Sequence, residues 1–298
     1  MAKLKIGVWL QQIRAPFLIL AVFLTLIGIG AATRVDPVSW YHALLLVAGV
    51  TLSHTSVNLF NELSDYRTKI DENTSRTPFS GGSGMMQAGL TSPAQVRIAA
   101  YGSLLIGAAI GIYFFFRSGW PILVFMMIGG MSIRFYTSHL TRWLLGEFIS
   151  GLTLGSFVVL GVYYALTGEL NNQIIYVSIP PGLLTSLLLF LNEFPDMEAD
   201  SAGGRRHVVI QLGRRRSSRL YAAILVLVYL SIASAPFITD APLTVLAGLL
   251  TLPLGMRGMI IVLKKYDDPA GLLPALGLNV GVVLLTDLLL ALGYFFAR

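Results

Sequence analysis

Nine apolar stretches, near residues 15–33, 40–62, 95–117, 120–136, 144–166, 174–194, 218–238, 242–264 and 272–297, set the terms on which this chain folds. A helix needs roughly 20 residues to cross the hydrocarbon core of a bilayer, and each stretch is close to that length. A mean hydropathy of +0.74 with 12% charged residues cannot cover a water-soluble globule of 298 residues. The start, MAKLKIGVWLQQIRAPFLILAVFLTLIGIG, is basic and then apolar like a signal peptide. Its apolar run is of spanning length and lacks a small-residue cleavage site, so it reads as a retained first helix. No cysteine is present, which excludes disulfides and thiolate metal sites. The expected fold is all-α: a polytopic membrane bundle of nine transmembrane helices forming a single domain over residues 1–298.

Sidedness follows from the basic residues. With the N-terminus on the cytoplasmic side, that side receives Lys3, Lys5, Arg14, Arg67, Lys69, Arg76, Arg97, Arg134, Arg142, Arg205, Arg206, Arg214, Arg215, Arg216, Arg219, Arg257, Lys264 and Lys265. Arg34, Arg117 and Arg298 fall opposite, so 18 of the 21 basic residues share one face, as the positive-inside rule requires. The expectation is a multi-pass protein of the cell (inner) membrane. The pI of about 9.6 is mostly this topology signal; it favours anionic headgroups and substrates and gives no reason to invoke nucleic acid.

Two long loops, about 63–94 and 195–217, lie on the cytoplasmic side, and each follows an Asn-Glu-x-x-Asp sequence: "FNELSDYRTKID" at 60–71 and "LNEFPDMEAD" at 191–200. On a continuous helix Asn58, Asn61 and Asp65 stand at i, i+3 and i+7, and Asn192, Asp196 and Asp200 at i, i+4 and i+8, so each set lines one face. Asp71, six residues past Asp65, requires the helix to break near 67–70 and fold back. Pro195 is expected to kink the second stripe. The likeness of the second and sixth segments suggests an internal repeat that brings the two stripes face to face.

Four aspartates facing one cavity repel one another, by about 4 kcal/mol for two charges about 4 Å apart at an effective dielectric of 20, so a cation belongs between them. Oxygen-only ligands select a hard cation such as Mg²⁺, which shares its shell with substrate phosphates. Arg67, Lys69, Arg76, Arg205 and Arg206 beside the stripes can hold further anionic oxygens. This pattern reads as a metal-bridged diphosphate site above an apolar bundle suited to a hydrocarbon tail. Ser80 to Gly84, with Gly81 and Gly82, is too glycine-rich for a stable helix and suits a backbone that closes over a ligand.

Other conspicuous residues have ordinary readings. Glu62 and Glu193 lie off the stripes and are expected to be solvated or salt-bridged. His54 reads as a hydrogen-bonded bundle residue, Arg214 to Arg216 as contacts to lipid headgroups, and Met85 and Met86 as packing. Tyr163, Tyr164, Trp120 and Trp143 read as interfacial belt residues.

These residues carry a family resemblance over nearly the whole chain. The sequence resembles the UbiA superfamily of intramembrane prenyltransferases, with nine helices and Asp-rich motifs after helices 2 and 6, and within it the menaquinone-pathway, 1,4-dihydroxy-2-naphthoate branch. The first motif of that branch keeps its spacing in Asn58, Asn61, Glu62, Asp65 and Asp71, and its glycine segment is echoed by "TPFSGGSGMMQAGLT" at 77–91. The second is matched by Asn192, Asp196, Glu198, Asp200, Gly204, Arg205 and His207, and a third patch by Tyr136, Thr137, Leu145, Gly146 and Glu147. Glu62 stands where the pattern has Asp, Arg205 where it has Lys and His207 where it has Thr.

The resemblance implies that Asp65, Asp71, Asp196 and Asp200, helped by Asn61 and Asn192, bind Mg²⁺ ions that bridge the diphosphate of a polyprenyl donor. It implies that Arg76 and Arg205, with Lys69, neutralise charge on the leaving diphosphate. Tyr136 is expected to offer a π face to the allyl cation in a dry pocket, where an aromatic acceptor attacks. The same chemistry also fits 4-hydroxybenzoate, a prenylglyceryl phosphate or a chlorin as acceptor. A cation transporter is the rival of another class, disfavoured because transport sites sit near the bilayer midplane on broken helices.

Overall fold

The structure is a computed structural model that describes residues 2–68, 82–135 and 146–297. These residues form α1 (Ala2–Gln12), α2 (Ala15–Ala32, opening with one 3₁₀ turn), α3 (Trp40–Thr68), α4 (Pro93–Ser118), α5 (Pro121–Phe135), α6 (Gly146–Thr167), α7 (Asn172–Ala202), α8 (Val208–Leu212), α9 (Arg214–Ile238), α10 (Leu243–Lys265) and α11 (Pro269–Phe295). No strand occurs among the described residues. Eight helices, α2 to α4, α6, α7 and α9 to α11, are long and apolar enough to cross a membrane. The stretch expected to span at 120–136 is the shorter apolar helix α5, of 15 residues.

Local chemistry sets several of these boundaries. The basic N-terminus and first apolar run do not form one helix: Arg14 adopts left-handed φ/ψ of 54° and 50°, and Pro16 follows, so α1 and α2 separate there. A capping box in which Ser92 and Gln95 exchange side-chain and backbone hydrogen bonds starts α4. Asp268 caps α11 by accepting the Gly271 N–H at 2.9 Å, which holds its carboxyl below the usual range. Pro195 lies inside α7, which is helical on both sides of it.

The outer surface is apolar. Ile98, Leu105, Phe116, Leu250 and Phe237 are among many large side chains left exposed, as lipid-facing positions must be. The main core is drawn from α2, α6, α7, α9, α10 and α11, with Leu24, Leu184, Leu187, Val228 and Val283 fully enclosed. Tyr163, expected in the interfacial belt, is buried in this core instead, where its hydroxyl accepts the Asn171 side-chain amide at 2.9 Å. A smaller cluster of Leu59, Leu63, Met86, Val96 and Ala100 ties the end of α3 to the start of α4.

Lipid tails are as apolar as leucine, so close packing and small residues, more than hydrophobic burial, hold helices together in a bilayer. The contact between α6 and α7 is of this kind. A Cβ on Gly155 would lie 2.7 Å from Gly182 Cα and 2.8 Å from the Pro181 carbonyl, so no larger residue fits. The backbones cross here on a π-helical stretch, Gly151–Ser156, and are laced by Ser186 Oγ to Glu147 O and Ser156 Oγ to Ser178 O, both at 2.8 Å. This contact fixes the ends of α6 and α7 that carry Glu147 and Glu193. Gly155→Val should therefore destabilise the protein by at least the ~1–3 kcal/mol typical of overpacking, read as a lowered unfolding midpoint in detergent, whereas Gly102→Ala, which has open space around it, should leave the midpoint unchanged.

Candidate functional site

The acidic sequences lie on the last turns of α3 and α7, and one guanidinium joins them. Arg205 Nη1 donates to Asp200 Oδ1 at 2.8 Å, and Nη2 contacts Asp65 Oδ1. Arg205 reaches Asp200 because α7 ends at Gly203 and Gly204, where the chain turns with Gly204 at a φ of 80° and the Arg205 N–H returns to the Asp200 carbonyl at 2.9 Å. Arg205 thus offsets part of the negative charge that Asp65 and Asp200 bring to one place. Asp200 is 3% exposed and is enclosed with this partner. By the helical period Asp196 and Asn192 share the Asp200 face, and Asn61 and Asp65 share theirs. Asn58 turns aside: it is buried, and its amide donates to the Ile13 carbonyl at 2.9 Å.

The glutamates of the two motifs are buried, not solvated. Glu62, 3% exposed, accepts the Ser83 N–H at 2.8 Å, the Ser83 hydroxyl and the Gln12 side-chain amide at 3.1 Å. Gln12 in turn accepts from Thr91 Oγ1. Gly82 and Gly84, at φ of 67° and 73°, form the turn that aims Ser83 at Glu62. The glycine segment is therefore tied to the end of α3 and, through Gln12, to α1. Glu193 is also enclosed, with Glu147 beside it and its Oε2 3.4 Å from His207 Nδ1. Glu147 accepts the Val208 N–H at 2.8 Å, which anchors the start of α8.

Of the arginines expected at lipid headgroups, Arg214 is engaged within the protein. Its guanidinium makes two 2.7 Å bonds to Glu198 and two, at 3.1 and 2.9 Å, to the Phe194 carbonyl. It thus clamps the first turn of α9 to the end of α7. Arg206 is exposed beside Arg205. Lys69, Asp71, Arg76, Gly81, Tyr136 and Trp143 lie outside the described residues. Glu147 and His207 were placed by the family pattern without any role, and the sequence signal for them is that placement plus the histidine where the pattern has threonine.

The fold and this site define a class before they define a family: a multi-pass membrane bundle in which two acidic helix ends meet an arginine at one end. The family follows from comparison with known proteins. The UbiA prenyltransferase family profile matches residues 21–295, and the chain belongs to that family. It is 27% identical to a 1,4-dihydroxy-2-naphthoate octaprenyltransferase of Bacillus subtilis (strain 168), covering 76% of this chain and 73% of that one. It is 22% identical to a 2-carboxy-1,4-naphthoquinone phytyltransferase of Synechocystis, over 96% and 92%. In fold it is similar to a UbiA homolog from Aeropyrum pernix K1, with a TM-score of 0.71, 16% identity and coverage of 92% and 96%. A UbiA homolog from Archaeoglobus fulgidus bound to GPP and Mg²⁺ matches with a TM-score of 0.61, 15% identity and coverage of 95% and 99%.

The Glu62 network gives a direct test of what holds the glycine segment. Glu62→Ala strands the Ser83 N–H and the Gln12 amide, at a cost of about 1–3 kcal/mol for each donor left unmet. The unfolding midpoint in detergent should fall accordingly, and an unchanged midpoint would mean that these contacts do not secure the segment.

Proposed function

We propose that this protein transfers a prenyl group from a polyprenyl diphosphate to an aromatic acceptor of the 1,4-dihydroxy-2-naphthoate type, in a Mg²⁺-dependent reaction on the cytoplasmic side of the membrane. The observation that carries the reading is the convergence of Asp65 and Asp200, 135 positions apart in sequence, on Arg205 at the rim of an apolar bundle. The names of the curated relatives and the GPP and Mg²⁺ in the Archaeoglobus homolog support it.

The donors on the two motif faces, Asp65, Asp196, Asp200, Asn61 and Asn192, are all oxygen ligands and fit a hard cation. With Asp71 they would hold Mg²⁺, which when bound draws off negative charge and makes diphosphate a better leaving group. Arg205 is already fixed by two carboxylates, so its positive charge is held in place and needs little reorganisation as charge develops on the leaving diphosphate. Arg76, Lys69 and Arg206 add positive charge to the same rim. The allylic C–O bond breaks, diphosphate leaves toward these cations, and a ring carbon of the acceptor forms the new C–C bond and restores the aromatic ring by losing its proton, or its carboxylate as CO₂ where that carbon carries one. Tyr136 would shield the allyl cation. The segment carrying Gly81 and Gly82 would keep water out.

Asp65→Ala and Asp196→Ala should each abolish prenyl transfer while leaving folded protein in the membrane, as should removal of Mg²⁺ by a chelator. Mass spectrometry of products from purified protein, given several prenyl diphosphates and a panel of 1,4-dihydroxy-2-naphthoate, 4-hydroxybenzoate and prenylglyceryl phosphate, identifies donor and acceptor. Undiminished turnover in either variant would remove the metal site as drawn.

Arg205 separates the enzyme from a cation transporter. Arg205→Lys should retain measurable activity, since lysine keeps a compact positive charge there, whereas Arg205→Glu should abolish diphosphate binding by like-charge repulsion. In a transporter the same loss of positive charge should tighten cation binding and spare flux. Diphosphate affinity and Mg²⁺ flux in proteoliposomes decide between the two; flux that persists without a prenyl substrate would favour transport.

A further inference from the structure

A second cluster lies on the far side of Asp200 from its contact with Arg205. Asp200 Oδ1 meets the guanidinium, and its Oδ2 lies 3.2 Å from His207 Nε2. The other ring nitrogen, Nδ1, is 3.4 Å from Glu193 Oε2. His207, Glu193 and Glu147 are 3%, 8% and 7% exposed. Both ring nitrogens of His207 and the Oε2 atoms of Glu193 and Glu147 lack a well-aligned hydrogen bond, the two carboxyls lying close to each other and the imidazole only in ion-pair range of its neighbours, although buried polar groups nearly always find a partner. One ligand atom from each of the three residues lies within 4.8 Å of the other two.

We propose that Glu147, Glu193 and His207 form a buried site for a borderline divalent cation of the Zn²⁺ type, distinct from the oxygen-only site on the motif faces. A separation of 3.4 Å between Nδ1 and Oε2 is long for a hydrogen bond. It matches the edge of a tetrahedron whose metal bonds are about 2.0–2.2 Å, which is about 3.4 Å. An imidazole with two carboxylates selects Zn²⁺ over Mg²⁺, because nitrogen suits the softer ion and Mg²⁺ demands an oxygen shell. The orientation of the donors supports the same reading. The Oε1 of Glu147 is fixed by the Val208 N–H, leaving Oε2 to face the cluster. With Nδ1 on the metal, the proton of His207 would sit on Nε2, 3.2 Å from Asp200 Oδ2, the place a carboxylate takes in a carboxylate–histidine–metal arrangement. The fourth position is left to water. A cation here also relieves the mutual repulsion of two enclosed glutamates, and through His207 it orients Asp200, and so Arg205, from behind.

The test needs no substrate. The full chain is purified in detergent, stripped with a chelator, reloaded with Zn²⁺ in the presence of excess Mg²⁺, desalted, and its metal content measured by mass spectrometry. The expected result is a single equivalent of Zn²⁺ retained by the wild type and by His207→Cys, whose thiolate is itself a zinc ligand, and its loss from His207→Ala and Glu193→Gln. Co²⁺ loaded instead should give the intense visible absorption of a tetrahedral site in the wild type. Asp65→Ala, which lies outside the three ligands, should keep its Zn²⁺ while losing prenyl transfer, so failure of this site and failure of the diphosphate reading are told apart. Wild-type protein that retains no Zn²⁺ against Mg²⁺, or equal retention by folded His207→Ala, would overturn the proposal.

Discussion

Hydrocarbon offers the backbone no hydrogen-bonding partner, and the rest of this structure follows from that constraint. The spanning segments satisfy their peptide groups internally as helices, and several of their hydroxyls turn back on their own helix: Thr25 Oγ1 donates to Ala21 O at 2.7 Å, and Ser53 Oγ to Gly49 O at 2.9 Å. Ion pairs and carboxylate clusters are displaced to the helix ends. One end gathers Gln12, Glu62, Asp65, Glu147, Glu193, Asp200, Arg205, His207 and Arg214 through the contacts described above. A protein whose middle is mostly apolar can do polar chemistry at such an end, with the apolar bundle adjoining it.

Charge balance then organises that end. Asp65 and Asp200 belong to different helices, and bringing them together unaided would cost about 4 kcal/mol at about 4 Å and an effective dielectric of 20. Arg205 removes that cost with a planar fork that serves both carboxylates at once, which a lysine ammonium does less specifically. The position of Arg205 depends in turn on the turn at Gly203 and Gly204 that ends α7. The acidic helix end and the arginine that neutralises it are therefore encoded within a few residues of one another, while Asp65 is supplied from α3.

The sequence made eight of the nine expected spans legible because length and hydropathy suffice for that, whereas 120–136 is the shorter helix α5. Of the two acidic stripes, the contact of Asp65 and Asp200 through Arg205 is what the structure adds. What the sequence hid depends on partners distant along the chain. The charge of Glu62 argues for solvent, yet its ligands are Gln12 and Ser83, 50 and 21 positions away. Tyr163 is an amphipathic residue in a span, and only its packing in the main core, with its hydroxyl bonded to Asn171, takes it out of the interfacial belt. Arg214 belongs to a basic run that reads as headgroup-facing until Glu198 is seen across from it. The span beginning at residue 15 was legible from its apolar run, but the separate short helix α1 before Arg14-Ala15-Pro16 was not.

The repeated Asn-Glu pair has a geometric reason. Adjacent helical residues point about 100° apart, so if Asn61 and Asn192 share the Asp face, Glu62 and Glu193 must look away from it. In both motifs the glutamate turns into the protein and holds scaffold. Glu62 fastens the Ser83 turn and α1 to the end of α3; Glu193 meets Glu147 from α6 and His207 from the chain after α7. Each motif thus sets a glutamate that holds the frame on the same stretch of helix as its aspartate, so the Ser83 turn is fastened through Glu62 to the part of α3 that carries Asp65. Glu62, a methylene longer than the aspartate of the family pattern, reaches Ser83 and Gln12 together from that part of α3.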